Sequence, residues 1–91
     1  MLLNINISHQ AEKFLKKVHP KHGKQLAVKI IELRKNPYPQ DSKILKGELK
    51  FLRADSGEYR IVYKVHQDTL EVLLVGKRND DEVYKKFKRK V

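Results

Sequence analysis

Residues 59–84 read YRIVYKVHQDTLEVLLVGKRNDDEVY. From Tyr59 to His66 the residues alternate: Tyr59, Ile61, Tyr63 and Val65 on one side, Arg60, Val62, Lys64 and His66 on the other. This period of two predicts a strand. A second run, Thr69 to Val75, follows two turn-forming residues, Gln67 and Asp68. A two-residue turn would pair His66 with Thr69, Lys64 with Glu71, Val62 with Leu73 and Arg60 with Val75. It sets Lys64 opposite Glu71, a favourable cross-strand pair. It also gathers Ile61, Tyr63, Val65, Leu70, Val72 and Leu74 on one apolar face. A slip by one residue would lose both patterns. Gln-Asp lacks the glycine such turns favour, so a longer loop is the alternative. The other face would carry Arg60, Lys64 and His66 among Val62, Leu73 and Val75. A half-covered face of this kind reads as a binding surface.

Upstream, residues 48–54 (ELKFLRA) read as another strand, closed by a turn at Asp55-Ser56-Gly57. Lys46-Gly47 leads into it, and residues 36–43 (NPYPQDSK) form a loop by their prolines and small polar residues. Two helices precede the loop. Ser8 is placed to cap the first, which buries Ala11, Phe14, Leu15 and Val18 and ends at His19-Pro20. The second runs from about Pro20 to Lys35, with Leu26, Ala27, Ile30, Ile31 and Leu33 toward the core. Leu2 to Ile7 alternates as a short edge strand. Downstream, Asn79 or Asp80 would cap a last helix with Val83, Phe87 and Val91 on one face and lysines crowding its final turns. The expected order is β-α-α-β-β-β-α in one domain over residues 1–91. The fold class is α+β: a small, mostly antiparallel sheet with a helical hairpin on one face and a C-terminal helix.

Charge narrows the function. Twenty-one Lys and Arg face eleven Asp and Glu, a net charge of +10 on 91 residues. Such a field draws polyanions: RNA, DNA, anionic headgroups or an acidic protein. A merely solvated lysine-rich surface is the competing reading. The chain has no cysteine, which fits a reducing cytoplasm and excludes disulfides and thiolate metal sites. No apolar run reaches the roughly 18 residues a membrane span needs, and no secretory signal is visible at the start. His19 and His22 have a metal-like spacing but no further ligand in the sequence pattern, so no metal or other cofactor is expected. His66, at the hairpin tip, stands roughly 20 Å along the strand from Arg60, too far to share its chemistry.

The segments LKGELKFLRADSGEYRIVYKV (45–65) and LLVGKRNDDEVYKKF (73–87) resemble the RelE/ParE superfamily of toxins from bacterial type II toxin–antitoxin pairs. The tyrosine-arginine strand resembles the family's central strand. Val75-Gly76-Lys77-Arg78, followed by Tyr84, resembles the RelE branch in particular. The resemblance implies a metal-independent endoribonuclease that cleaves messenger RNA on the ribosome and so inhibits translation. It assigns Arg60, Arg78 and Tyr84 to catalysis. The branch's strand lysines do not align here: Leu49 and Phe51 hold the best-matched positions. Lys46 or Lys50 would stand in, with Arg53 and Lys77 as further substrate contacts. The implied partners are a cognate acidic antitoxin, messenger RNA and ribosomal RNA, with operator DNA approached through the antitoxin and no membrane. The superfamily also implies two alternatives: a ParE-like poison of DNA gyrase, or a non-toxic member that only binds its antitoxin as a co-repressor.

The chemistry agrees with the residue types. RNA brings its own nucleophile, the 2′-OH. An enzyme must take that proton, hold the phosphate in line and stabilise the added negative charge. Two guanidiniums do the last well, because they stay charged and fork onto phosphate. Tyr84 would stack on a base or, with its pKa lowered by nearby cations, act as general base. Each residue also has a plainer reading: Arg60 as a solvated or ion-paired strand residue, Arg78 as a partner of Asp80 and Asp81, and Tyr84 as an aromatic at the core edge.

Overall fold

The computed structural model describes residues 2–40, 42–45 and 48–78. Seven elements follow in order: β1 (Asn4–Ile7), α1 (His9–Lys17), α2 (Pro20–Lys35), β2 (Lys43–Leu45), β3 (Glu48–Ser56), β4 (Tyr59–His66) and β5 (Thr69–Lys77). The five strands form one sheet in the order β1-β5-β4-β3-β2. Edge strand β1 runs parallel to β5, and the other pairings are antiparallel. The expected last helix lies outside the described residues. Among the described residues no helix is long and apolar enough to cross a membrane.

The structure adds a strand to the expected order and moves a turn. Lys43 falls in strand β2 rather than in the loop. That strand is only three residues long, too short for any alternation to show. Strand β3 runs on through Ser56, so the turn is Gly57-Glu58 and not Asp55-Ser56-Gly57. Gly57 has φ +61°, the sign a two-residue II′ turn needs at its first central position. Gln67 opens the β4–β5 turn with φ 56°, so this turn too is two residues long, without a glycine.

The helices follow their caps. Ser8 Oγ accepts from the Ala11 N–H at 3.1 Å, starting α1. In its first turn Glu12 meets Lys16 at 2.9 Å. The Lys16 hydrogen bond and charge hold the Glu12 carboxyl below its ordinary value. His19 caps α2 through Nδ1, which accepts from the Lys21 N–H at 3.1 Å, and Pro20 takes the first helical position. Leu26, Ile30 and Leu33 are the buried stripe of α2. Ala27 and Ile31, expected there, are exposed, Ile31 at 48%. The core stripe is narrower than the apolar composition of the helix, because each sits about 100° round the axis from Leu26 or Ile30.

The main core lies between the helices and one face of the sheet. It holds Ala11, Leu26, Ile30, Leu33, Ala54, Tyr59, Ile61, Tyr63, Leu70, Val72 and Val75, with Val65 at its margin. The Tyr63 hydroxyl donates to the Pro37 carbonyl at 2.6 Å and ties the loop after α2 to the sheet. The hairpin register holds from the tip through Tyr63↔Val72, including Lys64↔Glu71, and then shifts. Beyond it the pairs are Val62↔Leu74, Ile61↔Val75, Arg60↔Gly76 and Tyr59↔Lys77. Leu73 is the extra residue of a β-bulge.

The bulge corrects two assignments. Val75, expected on the open face, is in the main core at 3% exposure. Leu74, expected in that core, instead packs with Val62, Phe51 and Leu73 on the opposite face. The neighbouring chain explains where the irregularity falls. Pairing of β1 with β5 ends at Ile7↔Val72, and the next residue, Ser8, holds both sides of the break. Its N–H donates to the Val72 carbonyl at 2.9 Å, and its hydroxyl donates to the Leu73 carbonyl. The Leu73 carbonyl thereby has a donor at the bulge.

Candidate functional site

The face of the sheet turned away from the helices carries the site. Three adjacent strands meet there at one row, Asp55 on β3, Arg60 on β4 and Gly76 on β5. Arg60 Nε donates to Asp55 Oδ1 at 2.8 Å. Arg78 Nη1 approaches the other carboxylate oxygen, Oδ2, at 3.8 Å. The Arg78 N–H donates to the Glu58 carbonyl at 3.0 Å, so the turn at Gly57-Glu58 anchors the backbone that presents the second arginine. The Arg60 side chain is only 13% exposed, against 47% for Arg78. One carboxylate therefore offsets the repulsion between two guanidiniums and holds both at one spot.

One row along, Lys43, Arg53, Val62 and Leu74 lie side by side across β2 to β5. Further toward the tip, Lys64 pairs with Glu71 at 3.7 Å, and its ammonium stands 5.6 Å from the centre of the Phe51 ring. The arrangement is an apolar floor of Phe51, Val62, Leu73 and Leu74 with cations at its rim. Such a floor suits the flat faces of bases, and such a rim suits phosphates.

The structure brings together some of the expected residues. Arg60 and Arg78 meet through Asp55, with Arg53 one row away on the same face. Lys77 stands apart: its register partner is Tyr59, which belongs to the helix-side core, so Lys77 lies on the side away from Arg60. Lys46 and Tyr84 lie outside the described residues, and so does the Lys50 side chain. Arg78 pairs with Asp55, an acid the sequence reading had spent on a turn. A turn placed at Gly57-Glu58 would have paired Asp55 with Arg60 by counting alone. Lys43 was missed for the same kind of reason, since its strand went unseen. The histidines of the metal-like spacing have structural roles: His19 is the α2 cap, and His22 packs its ring 5.1 Å from Tyr59 of β4.

A family model described as the ParE toxin of type II toxin–antitoxin system, parDE, matches residues 5–82. No curated protein sequence matches. Among solved structures, a mutant of the Escherichia coli toxin RelE in the free state is 25% identical, with a TM-score of 0.83 over 100% of this chain and 99% of that one. The RelE–RelB complex of the archaeon Pyrococcus horikoshii OT3 matches at 25% identity and TM-score 0.74, covering 86% of this chain and 97% of that one. The intact E. coli RelBE toxin–antitoxin complex matches at 25% and 0.73, covering 82% and 95%.

Proposed function

We propose, for a chain that belongs to the ParE toxin family of type II toxin–antitoxin systems, that it arrests growth as a metal-independent endoribonuclease cutting messenger RNA on the ribosome. The observation that carries this reading is the pair Arg60 and Arg78 on one carboxylate, beside a base-sized apolar floor. A carboxylate held between two guanidiniums marks a place where a phosphate oxygen would be held as well. The likeness to RelE structures supports the RNA branch of the superfamily.

In the proposed reaction the 2′-oxygen attacks the adjacent phosphorus. A 2′-O–P bond forms and the P–5′-O bond breaks, leaving a 2′,3′-cyclic phosphate and a 5′-hydroxyl. The 2′-OH proton goes to a base, the role proposed for Tyr84, and the departing 5′-oxygen gains a proton from an acid or water. Arg60 and Arg78 stabilise the charge that builds on the non-bridging oxygens, a role typically worth 100-fold or more per donor. Arg53 and Lys43, with Lys46 and Lys50, would hold flanking phosphates. The cognate antitoxin is proposed to be acidic, covering this +10 chain as RelB accompanies RelE in the matching complexes.

The family description favours a second reading, a ParE-like poison of DNA gyrase. One experiment separates them: brief expression of the toxin alone with mapping of RNA 5′ ends. Cuts within translated codons, absent from the Arg60→Ala variant, are the expected result. An SOS response without cuts would establish the gyrase reading instead.

A further inference from the structure

Among the described residues Asp55 reaches both arginines of the site, and its grip on them is unequal. Its Oδ1 is bound to Arg60 Nε at 2.8 Å. Nε is the guanidinium nitrogen nearest the backbone, so this bond fixes the plane of the whole group. Its Oδ2 stands 3.8 Å from Arg78 Nη1, an ion pair without a hydrogen bond. The backbone adds to the asymmetry: Asp55 and Arg60 are register partners within paired strands, one pair in from the turn, whereas Arg78 lies one residue past the end of β5. A carboxylate is also an obstacle at a phosphate site, because it repels the substrate and occupies donors the substrate needs.

From this geometry, and resting on the reading of this face as a phosphate site, we infer that Asp55 is a positioning residue. It holds Arg60 in the aimed orientation throughout, and holds Arg78 loosely until the scissile phosphate replaces the carboxylate at Nη1. Asp55 thus trades substrate affinity for alignment. Its removal leaves a more basic site that binds RNA more tightly and cleaves it more slowly. A purely structural role would lower both together with the melting temperature.

The test uses the full-length toxin with ribosomes and messenger RNA, and an RNA carrying a 2′-O-methyl group at the scissile nucleotide for binding. Asp55→Asn is expected to cut single-turnover cleavage by about 10- to 100-fold, the scale of a small misalignment. It is expected to tighten the non-cleavable RNA several-fold and to shift the Arg60 Nε–H resonance. Thermal unfolding is followed in parallel, and Asp55→Ala is expected to reproduce the split. Wild-type cleavage in Asp55→Asn, or equal losses of binding and cleavage, overturns the inference. If the wild type cuts no RNA, the ribonuclease reading fails, and inorganic phosphate becomes the probe. Tighter phosphate binding by Asp55→Asn, reported at the Arg60 and Arg78 Nε–H groups, would still support the role of Asp55. Unchanged binding would overturn it.

Discussion

The two halves of the β4–β5 hairpin share a strand pair and little else. In the tip half, from Tyr63↔Val72 to His66↔Thr69, every pair is the one that counting back from a two-residue turn gives. In the base half, from Tyr59↔Lys77 to Val62↔Leu74, every pair is displaced by one. The displacement decides which cation reaches the site. In an unbroken register Arg60 would face Val75, so Lys77 would share its side and Arg78 would point toward the helices. With Leu73 inserted, Gly76 comes opposite Arg60, Arg78 turns to the open face, and Lys77 turns away. The tip half is built for pairing; the base half is built to aim an arginine.

Deleting Gly76, beyond the bulge, is the most direct way to break that difference, and the largest effect is expected from it. Lys77 would come opposite Arg60, and Arg78 would come opposite Tyr59 and lose Asp55. Val75 keeps its place in the main core, so the stability cost is expected to stay within the ordinary range of about 0.5–3 kcal/mol, while growth arrest is abolished. Chemical denaturation and the growth assay check this. Wild-type toxicity from the deletion variant would mean that the face Arg78 takes does not set the site.

Point substitutions probe the same swap without disturbing the fold. Arg78→Ala is expected to lower cleavage by about 100-fold or more, and Lys77→Ala by less than about twofold, as for a surface change. Comparable losses from both would show that the face assignment fails in solution. A smaller effect is expected at the clasp. Ser8→Ala removes the N-cap of α1 and the hydroxyl donor to Leu73. Cap loss alone typically costs about 1 kcal/mol. A cost nearer 2 kcal/mol, with faster amide exchange at Leu73 and Leu74, is expected if the clasp also holds the bulge; Ser8→Gly, which costs a cap only a few tenths, separates the two parts.

These contrasts explain how far the sequence could be read. Periodicity and punctuation located both helices, the hairpin tip, and the cap at Ser8, because each is set by residues close in the chain. Arg60 on the open face of β4 was legible from alternation alone. The bulge was not, since Leu73, Leu74 and Val75 are interchangeable as hydrophobic residues and the partner that fixes them, Ser8, lies 65 residues away. Asp55 was hidden by a two-residue error in one turn: Asp, Ser and Gly all favour turns, and only the left-handed φ at Gly57 decides among them. Lys77 and Arg78 were both named for the site, and only the register tells their faces apart: Lys77 pairs with Tyr59 of the helix-side core.

The least effect is expected in the tip half, at the ion pair the sequence anticipated. Lys64 and Glu71 are 3.7 Å apart with side chains 34% and 25% exposed, and the Lys64 ammonium also leans toward Phe51. The Asp55–Arg60 pair on the same face is 2.8 Å long, with the arginine at 13% exposure. Partial solvent screening and the entropy of two long side chains leave a pair like Lys64–Glu71 with about 0.3–0.8 kcal/mol. A double-mutant cycle of Lys64→Met and Glu71→Gln should return that coupling, and 0.5 M salt should erase most of it. The cycle of Asp55→Asn with Arg60→Met should return more and resist the salt, because the arginine is largely shielded from counterions. Equal coupling and equal salt sensitivity in the two cycles would remove the distinction between a half that pairs and a half that aims.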